Sequence, residues 1–200
     1  MIVLVNTKKY FFTCDLCIYD EVSMKILLFL ALVVATFLVY RQFNASGKTP
    51  QIGEPAPQFR LADAQLKVHT LADYAGKWLV LYFYPKDDTP GCTKEACHFR
   101  DDFVQLEKLG ATVVGISVDD TGSHAKFAEK YRLPFTLLSD ADGSVAQSYG
   151  ALNHLGVLRI AKRYTFLIDP QGNIAKVYLS VEASKHSQEI IEDLTALQRH

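Results

Sequence analysis

The sequence predicts an α/β protein with a mixed central β-sheet flanked by helices and an apolar helix at its N-terminus. Three observations carry this. Trp78 to Tyr84, WLVLYFY, is a continuous apolar and aromatic run ending at Pro85, the pattern of a strand buried on both faces. Further apolar runs alternate with segments of helical periodicity. A stretch without a charge, Ile26 to Tyr40, stands apart from all of them. The 200 residues, 49% hydrophobic and 22% charged, suit one globular domain plus a remainder. Net charge is -1 with no basic block, which argues against a nucleic-acid partner.

The apolar stretch ILLFLALVVATFLVY lies between Lys25 and Arg41. It is long for a core helix without a polar face, short of the about 20 residues that span a bilayer, and near the upper limit of a signal-peptide apolar region. Residues 24–43 are therefore expected to be a transmembrane anchor or signal segment, with a buried core helix as the remaining alternative. Ala45-Ser46-Gly47 offers small residues for cleavage, but Arg41, Gln42 and Asn44 weaken that site. Lys8, Lys9 and Lys25 before the run, against Arg41 and Lys48 after it, favour an inward N-terminus and a membrane-anchored or exported domain, at a bacterial inner membrane or in a periplasm. Met24-Lys25 reads as a natural start, which makes residues 1–23 an extension and Cys14-Asp15-Leu16-Cys17 incidental; the rival reading of that pair is a redox or metal Cys-x-x-Cys. Residues 44–51, NASGKTPQ, read as a linker, and residues 52–200 as the soluble domain.

Within that domain the first strand read is Trp78 to Tyr84. Thr93 to Leu109 then carries Ala96, Phe99, Phe103, Leu106 and Leu109 at helical spacing and stops at Gly110. Ala111 to Val118 is a second buried strand, Ser123 to Arg132 a helix, Thr136 to Leu138 a short strand and Val145 to Tyr149 a short helix. Tyr164 to Ile168, the turn Asp169 to Asn173, and Ile174 to Val181 make a hairpin, and Ser184 to Arg199 closes the chain as a helix with Ile190, Ile191, Leu194 and Leu197 on one face. Ligands of such sheets sit beyond the carboxyl ends of the parallel strands. That directs attention to the loop after Tyr84.

The loop reads Pro85-Lys-Asp-Asp-Thr89-Pro90-Gly91-Cys92 and opens a helix. A sulfur in a first helical turn faces unpaired N–H groups and the positive end of the macrodipole, which favour thiolate over thiol. Thr89, three residues back, can reach the sulfur or a bound oxygen. The alternative is an inert buried cysteine. Cys97 follows five residues later, roughly 8.6 Å away between Cα atoms in a regular helix. A disulfide tolerates about 7 Å at most, so bonding of this pair requires the helix to unwind locally. Cys97 also reads as a plain small residue on a helix face. Cys92-Thr-Lys-Glu-Ala-Cys97-His98 is too widely spaced for the Cys-x-x-Cys-His haem attachment motif, and His98 reads as a helix residue beside the site.

These residues resemble the peroxiredoxins, and within them the bacterioferritin comigratory, or Q-type, group. Pro85-x-x-x-Thr89-x-x-Cys92 is similar to the family's active-site motif, Gly53-Glu-Pro-Ala56-Pro57-Gln-Phe59 to the start of its thioredoxin-like domain, and Arg163-Tyr-Thr-Phe-Leu-Ile-Asp169 to the strand bearing a second active-site residue. The resemblance covers residues 52–200 and implies a thioredoxin-like fold. It implies a thioredoxin-dependent peroxidase that reduces hydrogen peroxide and organic hydroperoxides, with an antioxidant role in redox homeostasis and oxidative-stress defence. Cys92 would be the attacking thiolate and Cys97 its resolving partner in an intramolecular disulfide. Arg163 would bring positive charge, Thr89 a hydroxyl, and Pro85 shielding. Lys162 could be mistaken for Arg163, but adjacent residues of a strand face opposite sides. No metal or organic cofactor is implied, the reductant would be a thioredoxin-type dithiol, and a monomer is expected. The rival functions are a thioredoxin-like redox sensor and a thiol-disulfide exchanger without peroxidase turnover.

Overall fold

The computed structural model describes residues 24–37, 47–155 and 158–199, in two units that divide after Ala45. The expected extension over residues 1–23 with Cys14 and Cys17, the end of the expected 24–43 segment and the start of the expected 44–51 linker lie outside the described residues. In the first unit, residues 24–37 form helix α1. At 1.5 Å per residue these described residues span about 21 Å, against about 30 Å of bilayer hydrocarbon. No helix among the described residues is long and apolar enough to cross a membrane. The expected transmembrane anchor, and with it the membrane-anchored or exported location, is corrected on that ground.

In the second unit the chain forms β1 (Arg60–Asp63), β2 (Val68–Thr70), a 3-10 turn (Leu71–Tyr74), β3 (Trp78–Phe83), α2 (Pro90–Asp101), α3 (Phe103–Lys108), β4 (Ala111–Ser117), α4 (Thr121–Tyr131), β5 (Thr136–Ser139), α5 (Ser144–Ser148), β6 (Leu152–Leu155), β7 (Leu158–Ala161), β8 (Tyr164–Ile168), β9 (Ile174–Tyr178) and α6 (His186–Leu197). The main sheet has seven strands in the order β2-β1-β5-β4-β3-β8-β9. β3, β4 and β5 run parallel, and the other pairings are antiparallel, so the sheet is mixed as the alternation of elements predicts.

β3 is an inner strand, and its alternate residues, with Tyr84 just beyond it, feed two cores. Leu79, Leu81 and Phe83 join Val114, Ile116, Tyr149 and Phe166 on one face. Val80, Tyr82 and Tyr84 join Phe99 of α2, Leu106 of α3, Phe127 of α4 and Ile190 and Leu194 of α6 on the other. The Tyr82 ring fits because the residue opposite it on β4 is Gly115, where a Cβ would lie 2.7 Å from Cζ of Tyr82. Phe166, fully buried, meets Phe83 and Tyr149 edge-on. Phe166→Ala is expected to cost about 3–5 kcal/mol, read as a lowered denaturant midpoint.

Two differences from the sequence reading matter. The single helix expected over Thr93 to Leu109 is two, because Asp102 leaves the helical conformation at φ -93° and ψ 2° and its carboxylate accepts a hydrogen bond from Ser187 Oγ at 2.6 Å. The hairpins β1–β2 and β6–β7 were not anticipated; each strand is three or four residues long, too short to print an alternating pattern.

Candidate active site

The loop after β3 leads straight into α2. Thr89 is the N-cap residue in extended conformation, Pro90 takes the first helical position, where its missing N–H costs nothing, and Cys92 is the third residue of the helix. The Thr89 hydroxyl makes no cap; it donates to the Lys86 carbonyl at 3.0 Å and is not bonded to the sulfur. The first intrahelical bond runs from the Thr93 N–H to the Thr89 carbonyl, 2.8 Å. The N-terminal amides of α2 are thus left without the Thr89 side chain, as donors for an incoming oxygen.

Cys92 is 2% exposed and is a free thiol. Arg163 reaches it by strand register. Phe83 of β3 pairs with Tyr164 of β8, so the residue before Tyr164 lies level with the loop that leaves β3. Arg163 Nη2 donates to Cys92 Sγ at 3.3 Å. Gly91 makes room for this approach, since a Cβ there would stand 3.1 Å from the same nitrogen. Lys162 turns elsewhere: its Nζ donates to the Gly150 carbonyl at 3.1 Å and lies over the Tyr164 ring. Of the two neighbouring cations only Arg163 meets the sulfur. Pro85 is half-buried at the mouth of the loop.

The other nitrogen of Arg163, Nη1, pairs with Glu95 Oε2. Glu95 was not anticipated. It lies one helical turn beyond Cys92 and is 1% exposed; a carboxylate on the buried face of an amphipathic helix was the available signal. Burial pushes its pKa up to about 7, against the opposing pull of Arg163, and its Oε1 has no hydrogen-bond partner among the described residues. An acid whose folded pKa is raised stabilises the fold fully below its unfolded value, near 4.5, and loses that contribution as pH rises through about 7. The thermal midpoint is therefore expected to fall between about pH 5 and about pH 8, and Glu95→Gln to flatten that slope.

Cys97 lies further along α2, half-buried and also a free thiol. α2 is helical without interruption from Pro90 to Asp101, so this pair sits at helical spacing, roughly 8.6 Å between Cα atoms. That is beyond disulfide reach in this conformation. Among the described residues there is no group of three or more His, Cys, Asp or Glu side chains arranged to hold a metal ion.

A helix-opening cysteine at the carboxyl end of a buried parallel strand, held against an arginine that directly precedes the neighbouring antiparallel strand, defines a thioredoxin-like thiol enzyme. The profile of the AhpC/TSA family matches residues 52–177. The putative peroxiredoxin bcp of Coxiella burnetii is 46% identical over 147 residues, covering 70% of this chain and 96% of that protein. The crystal structure of peroxidoxin BcpB from Mycobacterium tuberculosis superposes with a TM-score of 0.71 at 38% identity, covering 74% of this chain and 98% of that one. The bacterioferritin comigratory protein of Xanthomonas campestris, described for its alkyl peroxide reduction activity, gives 0.68 at 30% identity over 74% of this chain and 99% of that one. The chain belongs to the AhpC/TSA family and, with relatives of the Bcp and Q type, is a peroxiredoxin, a thiol peroxidase. The apolar helix α1 precedes the matched residues.

Proposed function

We propose that residues 52–200 form the catalytic domain of a peroxidase that acts on hydrogen peroxide and alkyl hydroperoxides through Cys92 and Cys97, with a thioredoxin-type dithiol as reductant. The observation that carries this reading is the buried Cys92 sulfur at the N-terminus of α2, 3.3 Å from the Arg163 guanidinium. Negative charge on the sulfur, and then on the leaving oxygen, meets donors already in place. The thiolate attacks the distal oxygen, the O–O bond breaks, and the leaving oxygen takes a proton to depart as water or an alcohol. Cys92 is left as a sulfenic acid. Thr89, whose oxygen keeps its lone pairs, accepts a hydrogen bond from the hydroperoxide O–H during alignment, and Pro85 limits water at the mouth.

The Cys97 thiolate then attacks the sulfenic sulfur, hydroxide leaves and is protonated to water, and a disulfide forms. This second step needs the first turns of α2 to open, because the regular helix holds the two sulfurs apart. The donor dithiol attacks the disulfide, and its own oxidation restores both thiols.

The test is peroxide consumption by the reduced full-length protein with excess dithiol present. Catalytic turnover is expected. In Cys97→Ser a single stoichiometric burst should remain, with a dimedone-reactive sulfenic acid on Cys92 and no intramolecular disulfide. Stoichiometric consumption only, in the unaltered protein, would sink the proposed cycle.

A further inference from the structure

We propose that Asp87 and Asp88 are positioning residues, two consecutive carboxylates that pin the Cys92 loop to the two ends of α4. The inference rests on the peroxidase reading of Cys92 and adds to it a second element, α4.

Asp87 is seated at the start of α4. Its side chain is 4% exposed, and three donors converge on it: Tyr84 Oη at 2.7 Å on Oδ1, and Ser123 Oγ at 2.7 Å and His124 Nδ1 at 2.8 Å on Oδ2. Its N–H also donates to Asp119 Oδ2 at 2.9 Å. His124 is fully buried, and its Nε2 has no hydrogen-bond partner among the described residues. Its polar contacts therefore point back to this loop, and the ring leads to no network beyond it. A buried polar ring with one of its nitrogens unsatisfied is costly, so its place has to be explained by the carboxylate it holds.

Asp88 is seated at the other end. Its φ is +55°, an uncommon conformation for a residue with a side chain. Lys130 Nζ donates to its two oxygens at 2.8 and 2.6 Å, and Tyr131 Oη donates to Oδ1 at 2.5 Å. From His124 to Tyr131 is roughly 10 Å along the helix axis. A third tie comes from beyond the reactive turn, where Arg100 Nη1 of α2 donates to the Tyr131 carbonyl at 2.9 Å. The residues before Cys92 and the residues after Cys97 are thus fastened to one helix. The segment that must open for disulfide formation lies between the fastenings.

Asp88 directly precedes Thr89, the cap of α2, so a displacement at Asp88 is carried into the positions of Cys92 and its amides. A misplacement of about 1 Å in a reacting geometry costs about 10²-fold in rate. Asp88→Gly separates this role from backbone conformation, because glycine keeps the positive φ without strain and removes only the side-chain grip. Asp88→Asn keeps one acceptor oxygen and tolerates the same conformation. In the full chain, the rate constant of Cys92 with hydrogen peroxide is expected to fall about tenfold or more in Asp88→Gly. Asp88→Asn should recover most of that loss. Alkylation of Cys92 by iodoacetamide, followed on the Cys92 peptide, needs no aligned oxyanion donors and should change little in either variant. Asp87→Ala should lose peroxide reactivity in the same direction, more steeply.

Equal peroxide rates in Asp88→Gly and the unaltered protein would overturn the proposal. So would a parallel loss of alkylation and peroxide reactivity, which marks general disorder of the loop. Absence of peroxide turnover in the unaltered protein would sink the peroxidase reading and this inference with it, a failure distinguishable from the other two.

Discussion

Cys92→Ser is expected to abolish peroxide turnover, a fall on the order of 10³-fold or more, with the fold retained. The loss is large because no neighbouring group replaces what the sulfur supplies. A serine hydroxyl is un-ionised near neutral pH, and its oxygen is a poor nucleophile toward an O–O bond. Cys97 does not take over, since the unbroken α2 places it a turn and a half away from the Arg163 donor. The structural consequence is small. Serine fills nearly the same volume at a site against Tyr82, Ala96 and Phe99 in the α2-side core, and the adjacent Arg163 offers its oxygen a hydrogen bond. Peroxide consumption measured beside the thermal midpoint separates the two effects. Turnover in Cys92→Ser at the level of the unaltered protein would remove the sulfur from the mechanism.

How much of this was legible in the sequence varies with the physical signal. β3 announced itself because a strand covered on both faces is apolar at every position, and WLVLYF is. The β8–β9 hairpin was legible from the turn residues Asp169 to Asn173, where Asp169 Oδ1 accepts the N–H groups of Gln171 and Asn173. Cys92 was legible from Thr-Pro-Gly before a helix. The break at Asp102 was not, because the apolar spacing continues across it and the cause is a hydrogen bond to Ser187 in a distant helix. Arg163 and Lys162 could not be separated by spacing alone; the pairing of Phe83 with Tyr164 decides between them. Asp87 and Asp88 read as ordinary loop polarity, since the partners that give them meaning lie some 36 to 43 residues away in the chain. The apolar stretch was read by composition, which reports that a segment avoids water and says nothing of what covers it or of how far its helix runs.

Arg163 carries the second large effect. Arg163→Ala is expected to lower the rate constant with peroxide by about 10²–10³-fold, the range for loss of one preorganised donor to a developing negative charge. Lysine should not restore it. The guanidinium is used at two ends, Nη2 on Cys92 and Nη1 on Glu95, and a single ammonium on a flexible stem cannot hold both places. The substitution also leaves Glu95 buried without its partner, so part of any loss could come from a disturbed α2. A double substitution resolves this. With Arg163 gone, Glu95 stays neutral by keeping its proton, and Glu95→Gln makes that neutrality permanent. Arg163→Ala with Glu95→Gln should therefore match or exceed the thermal midpoint of Arg163→Ala alone while remaining as slow with peroxide. Recovery of the rate in the double variant would mean that the guanidinium serves only to neutralise Glu95. Unchanged kinetics in Arg163→Ala would take it out of the reaction altogether. The expected result, stability regained and rate still lost, assigns the catalytic contribution to the hydrogen bond between Nη2 and the sulfur.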